Sequence, residues 1–221
     1  MTTADVHAFL PTLRQGAAEL GVSLDSAAAE RLLAYVALIA RWNKVYNLTA
    51  LRALDQMITH HVIDSLALIP PLRVVLGHKA EEQLSVLDVG SGGGMPGVMV
   101  ATVCPAWQVT CVDAVAKKST FIRQVSAELG LKNLSAVHSR VEQMPGSFDI
   151  ITSRAFASLA DFVSLTRHLL RPDGLWVAMK GVEPFDEIAA LPPDIEMFHV
   201  EHLQVPGVDA RRCLVWMRKV K

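Results

Sequence analysis

Several things are scarce in this sequence, and each scarcity narrows what it can be. There are three cysteines, Cys104, Cys111 and Cys213, at spacings that suit neither a disulfide framework nor a metal set. An odd, sparse count fits a reducing compartment and three packing residues, so a cytoplasmic location is expected. The longest apolar run, Leu32–Ala40, falls well short of the roughly 18 residues a membrane helix needs. The opening MTTADVHAFL lacks the basic start and apolar core of a signal peptide. Net charge is only −1, which argues against a protein that coats nucleic acid non-specifically. Local basic clusters remain, Lys117-Lys118 with Arg123, and Arg211, Arg212, Arg218, Lys219 and Lys221. There is no repeat and no low-complexity tract. His60, His61 and Asp64 have no further clustered ligand beside them, so no metal is expected.

What is present is an α/β pattern behind a helical start. The 221 residues suffice for one medium domain with a small appendage, divided here as 1–80 and 81–221. Helical spacing predicts one helix over Ala4–Leu20, with Gly21 beyond its end, and another over Ala28–Asn47. A third is expected to be capped by Asp55 and stopped by Pro70 and Pro71. From Leu84 short apolar strands alternate with helices. The strands are Ser85–Val89, Gln108–Asp113, Ser135–His138, Phe148–Thr152 and Leu175–Lys180; the helices are Pro96–Val103, Lys117–Leu129 and Leu159–Leu170. Such alternation predicts a parallel sheet with helices on both faces. Glu196–Val205 and Cys213–Val220, joined at Pro206-Gly207, read as an antiparallel C-terminal pair.

The most informative stretch is VLDVGSGGGMPGV, Val86–Val98, with five glycines between the first strand and a helix. In a doubly wound sheet that position is the mouth of the ligand crevice. A bare turn there brings backbone and helix N-terminus against a ligand. Gly92-x-Gly94-x-x-Gly97 matches a dinucleotide fingerprint, whereas Asp88-x-Gly90-x-Gly92-x-Gly94 resembles the first motif of class I methyltransferases, which use S-adenosylmethionine. Asp113, ending the second strand, suits ribose hydroxyls in either case. The segment Leu170–Lys180, the strand carrying Asp149, and the C-terminal hairpin favour the methyltransferase fold, Rossmann-like and seven-stranded. The residues after the fourth strand, Thr152-Ser153-Arg154-Ala155-Phe156, lack the Asn/Asp–Pro–aromatic pattern of enzymes that methylate exocyclic amines. No Pro-Cys nucleophile of a cytosine-C5 enzyme is present either; Cys104-Pro105 is reversed and reads as a helix end.

Across nearly its whole length the chain resembles the bacterial 16S ribosomal RNA guanine-N7 methyltransferases, the RsmG or glucose-inhibited division protein B family. The resemblance rests on an ordered set: Trp42-Asn43-Lys44-Val45-Tyr46-Asn47-Leu48-Thr49, His60-His61-Val62-Ile63-Asp64-Ser65, Asp88–Gly97, Lys117-Lys118-x-x-Phe121, Ser153-Arg154-Ala155 and Met179-Lys180-Gly181. It implies S-adenosylmethionine as cofactor and a guanine in the 530 loop of 16S rRNA as acceptor, in free RNA, the small subunit or an assembly intermediate. It implies cofactor contacts from Asp88, Gly90, Gly92, Gly94, Met95, Asp113, Val141, Glu142 and Arg154. RNA contacts fall to Asn47, His61, Ser65, Lys117, Arg123 and Lys180, with Arg41, Lys44 and Arg52 touching the backbone. Asp64, Arg123, Arg154 and Lys180 are the candidates for the chemistry, and Asp64 or Glu142 for steadying a cationic product. Two departures stand out, Ala114 after Asp113 where relatives carry Ser, and Val141 where they carry Ala. A monomer is the default in the absence of any heptad. The open alternatives are a methyltransferase acting on another RNA, a protein or a small molecule, an NAD-dependent oxidoreductase, and a non-catalytic RNA-binding module.

Overall fold

A computed structural model describes residues 3–220; Lys221 of the C-terminal basic cluster lies outside them. The N-terminal stretch forms two helices rather than one, α1 (Thr3–His7) and α2 (Leu10–Glu19). Pro11 falls in the first turn of α2, where its missing N–H costs nothing. The long helix α3 (Ser26–Tyr46) is capped by Asp25, whose carboxylate accepts from the Ala28 N–H at 2.6 Å. It ends at Asn47 in the left-handed conformation, φ 49°.

The third helical region departs from expectation at both ends. α4 (Leu54–Met57) starts after Ala53, so Asp55 sits inside its first turn and is not the cap. It runs through a π-helical stretch, Ile58–Ile63, into α5 (Asp64–Leu66). Pro70 and Pro71 do not stop it; they open a new helix, α6 (Ile69–Leu76).

The sheet has seven strands. They are β1 (Ser85–Val89), β2 (Gln108–Asp113), β3 (Leu134–His138), β4 (Phe148–Arg154), β5 (Leu170–Lys180), β6 (Ile195–Leu203) and β7 (Arg212–Lys219), in the order β3-β2-β1-β4-β5-β7-β6. The first five are parallel and β7 is antiparallel to both neighbours. The fifth strand, expected from Leu175, begins already at Leu170, where a helix was expected to end: Leu170 pairs with Phe148 and the register then shifts before Ile150 meets Leu175. The crossovers are α7 (Gly97–Val103), α8 (Ala116–Glu128) and α9 (Leu159–Thr166), and the short α10 (Phe185–Ala189) follows β5.

Side chains alternate along each strand, and the two faces bury separate clusters. Val86, Val109, Ile150, Val177 and Trp216 share one core with side chains of α2, α3 and α7; Leu87, Val112, Ile151, Trp176 and Val215 share the other with side chains of α9. The N-terminal helices are thus built into one side of the sheet's core, which brings their side chains to the strand ends.

Candidate active site

The loop leaving β1 is shaped by glycines at three left-handed positions, Gly90 (φ 65°), Gly92 (φ 55°) and Gly94 (φ 88°). Gly97 answers a different need. A β-carbon on it would lie 2.4 Å from the Cys111 sulfur and 2.9 Å from a carboxylate oxygen of Asp88. That close approach lets the Gly97 N–H donate to Asp88 at 2.8 Å and seats α7 on the strands.

Beside this loop, at the carboxyl ends of β1 and β2, opens a cleft of about 480 Å³. Gly90, Asp113, Val141 and Glu142 line it as expected, with Ala114, Lys118, Ala155 and Phe156. The Asp113 carboxylate accepts from the N–H groups of Gly92 (3.0 Å) and Val115 (2.9 Å) and faces the Lys118 ammonium at 3.4 Å. Those contacts fix the orientation of the carboxylate in the cleft wall. Val112, Val141 and Leu165 supply apolar walls for a flat ring. The size and chemistry suit a nucleoside-bearing ligand.

A second cleft of about 350 Å³ adjoins it, and Ala155 lines both. Ala155 has φ 53°, a costly conformation for a residue with a β-carbon. Asp64, almost fully buried, sits in this second cleft between two guanidinium groups. Arg154 reaches it at 3.1 Å and Arg212 at 2.7 Å. Arg154 also donates to the His60 carbonyl at 3.1 Å and lies 3.0 Å from the Met95 sulfur. His60 and His61 come from the π-helical stretch, a distortion often found at functional sites. Burial, with Arg154 nearby, pushes His61 down to about 4, so its imidazole is neutral at physiological pH. Lys180 lines the same cleft, tied to Glu187 at 2.8 Å and to the Ala157 carbonyl at 3.0 Å.

Several expected site residues line neither cleft. Asp88 lies beneath the loop, completely buried; burial raises its carboxyl to about 7. Gly92 serves the site through its N–H to Asp113, and Gly94 packs on Val98. Met95 supports Arg154 rather than opening on the first cleft. Ser65, expected to touch RNA, is fully buried. Arg123, named for RNA and catalysis, is exposed on α8 and donates through Nε to the Ala136 carbonyl on β3. Lys117 is exposed on α8, and Asn47 caps α3 while accepting from Arg52 at 2.9 Å. Sequence reasoning passed over Tyr35, whose hydroxyl donates to the Gly93 carbonyl at 2.8 Å from 58 positions away. It also left Arg212 as one member of a basic cluster; no local pattern signals its partner Asp64.

The sequence profile described as GidB, rRNA small subunit methyltransferase G, matches residues 28–215. Proteins named Ribosomal RNA small subunit methyltransferase G are similar throughout. The one from Acidovorax sp. (strain JS42) is 50% identical over all of both chains. The one from Leptothrix cholodnii is 59% identical over 94% of each. Among solved structures, TrmN from Thermus thermophilus aligns with a TM-score of 0.56 at 20% identity, over 74% of this chain and 53% of that one. A SAM-dependent methyltransferase from Aquifex aeolicus gives 0.52 at 19%, over 68% and 90%. At those identities the structures establish the shared fold.

Proposed function

Because the chain belongs to the rRNA small subunit methyltransferase G family, we propose that it methylates N7 of a guanine in the 530 loop of 16S rRNA, with S-adenosylmethionine as donor. The observation that supports this best is the pair of clefts meeting at Ala155. The cleft at the glycine loop takes the donor: Asp113 holds the ribose hydroxyls, Val112 and Val141 flank the adenine, and Gly90 leaves the backbone bare. Bound there, S-adenosylmethionine supplies a methyl group activated by its sulfonium. The cleft between His61, Arg154 and Arg212 takes the acceptor base.

Guanine N7 carries a free lone pair on the major-groove edge. No proton has to leave it, so the chain needs no general base. Its work is to hold two reactants in line, which supplies roughly 7–11 kcal/mol. Arg154 and Arg212 are the donors available to O6 beside N7, and the Asp64 carboxylate offsets the charge that N7 gains. The narrow major groove of paired RNA admits no side chain, so the guanine enters from an unstacked loop.

The protein acts as a monomer in the cytoplasm, where its ribosomal substrate is. The test is methyl-tritiated S-adenosylmethionine with 16S rRNA and small subunits from cells lacking the enzyme. Label at one 530-loop guanine, as 7-methylguanosine, supports the reading; label on another base, a protein or nothing rejects it.

A further inference from the structure

His61 lines the acceptor cleft, yet both of its ring nitrogens are spent on the protein. Nδ1 lies 3.2 Å from the His60 carbonyl, an acceptor only, so Nδ1 carries the hydrogen. Nε2 lies 2.7 Å from the Thr49 hydroxyl. That hydroxyl accepts from the Leu51 N–H at 3.2 Å and has one hydrogen to give, which goes to Nε2. The loop bearing Thr49 is itself pinned by buried Asn43, which accepts from the Thr49 N–H and donates to the Leu51 carbonyl, each at 2.9 Å. The imidazole is therefore fixed in one tautomer with no donor and no acceptor left over. What it can present to the cleft is ring carbon.

The rest of the cleft divides the same way. Met179, Leu203 and Cys213 are apolar or nearly so, while Asp64, Arg154 and Arg212 carry charge paired within the cleft and the Lys180 ammonium is held by Glu187. An apolar slot with polar groups on one edge fits a flat heteroaromatic ring better than a phosphate. The geometry points to His61 as a stacking surface for the unstacked acceptor purine, with Thr49 as the positioning residue that holds the ring in one tautomer and in place. This rests on the reading of the chain as an rRNA methyltransferase. It gives the Asn43–Thr49 and His60–His61 segments a joint purpose, since the first fixes the second at the cleft.

Stacking of a base on an aromatic ring is sequence-tolerant and depends on the ring rather than on hydrogen bonding. The test compares His61→Ala, His61→Phe and His61→Gln, with Thr49→Val and Thr49→Ser, measuring KM for rRNA, kcat and S-adenosylhomocysteine affinity. His61→Ala and His61→Gln are expected to raise the RNA KM roughly tenfold. His61→Phe should recover it to within about threefold of wild type, because it restores the ring and not the hydrogen bonds. Thr49→Val should raise KM about threefold and Thr49→Ser should rescue it, with cofactor affinity moving less than about twofold throughout. Rescue by Gln rather than Phe overturns the proposal, as does a parallel loss of cofactor affinity in the His61 and Thr49 variants. A wild-type protein that labels no rRNA instead rejects the enzyme reading, and this inference with it.

Discussion

At Gly97 there is no room for a β-carbon between Cys111 and Asp88, and neither neighbour is a free end that can swing away. Gly97→Ala is expected to cost about 2 kcal/mol in a urea titration and to weaken S-adenosylhomocysteine binding, because the shift passes into the loop that Asp88 steadies. Loss of stability with unchanged cofactor affinity contradicts that link. Asp88 makes a second residue-level prediction. Its folded pKa, about 7, stands above the usual carboxylate value because burial penalises the charge. Between about pH 4 and 7 the native state therefore holds a proton that the unfolded chain has released. The stability this contributes is complete below pH 4 and is lost as pH rises through 7. Asp88→Asn stays neutral, so its stability relative to wild type should climb over that window, by up to a few kcal/mol. A pH-independent difference rules this out.

Among the elements, the π-helical stretch with α5, strand β4 and strand β7 meet at one carboxylate. Asp64 is paired with Arg154 and Arg212, and its side chain is 4% exposed. Asp64→Ala leaves two guanidinium groups facing each other in a half-closed cleft, at a cost of about 3 kcal/mol. Replacing both arginines by Met in the same background should recover part of that loss; no recovery contradicts the charge explanation. This junction was not legible in the sequence. The strands were: β1 and β2 begin and end where their apolar runs do, since buried parallel strands read as short hydrophobic bursts between turn signals. Pro70 and Pro71 misled because a proline pair ends one helix and opens another with equal ease. The π register at His60 and His61 has no residue signature, and the Asp64–Arg212 pair spans 148 positions. In the cleft at the glycine loop, Gly90, Asp113, Val141 and Glu142 were recoverable because a local motif places them; the second cleft is assembled from five separated segments, at Asp64, Arg154, Lys180, Leu203 and Arg212.

Across the whole molecule the helical start and the sheet share one continuous core, from Leu13 and Leu32 through Val86 to Trp216. Thermal unfolding should be a single cooperative transition in which the N-terminal helices do not melt ahead of the sheet. Two separate calorimetric peaks go against a shared core. Tyr35 is where that union reaches the site, its buried hydroxyl holding the Gly93 carbonyl. Tyr35→Phe should cost about 1 kcal/mol and loosen the cofactor several-fold. Both clefts take their roles from where the donor sits, which is the central claim. A crystal structure with S-adenosylhomocysteine is predicted to show the ribose on Asp113, the adenine between Val112 and Val141, and the sulfur at the Ala155 passage into the second cleft. A ligand bound away from the glycine loop, or with its sulfur turned from Ala155, contradicts it.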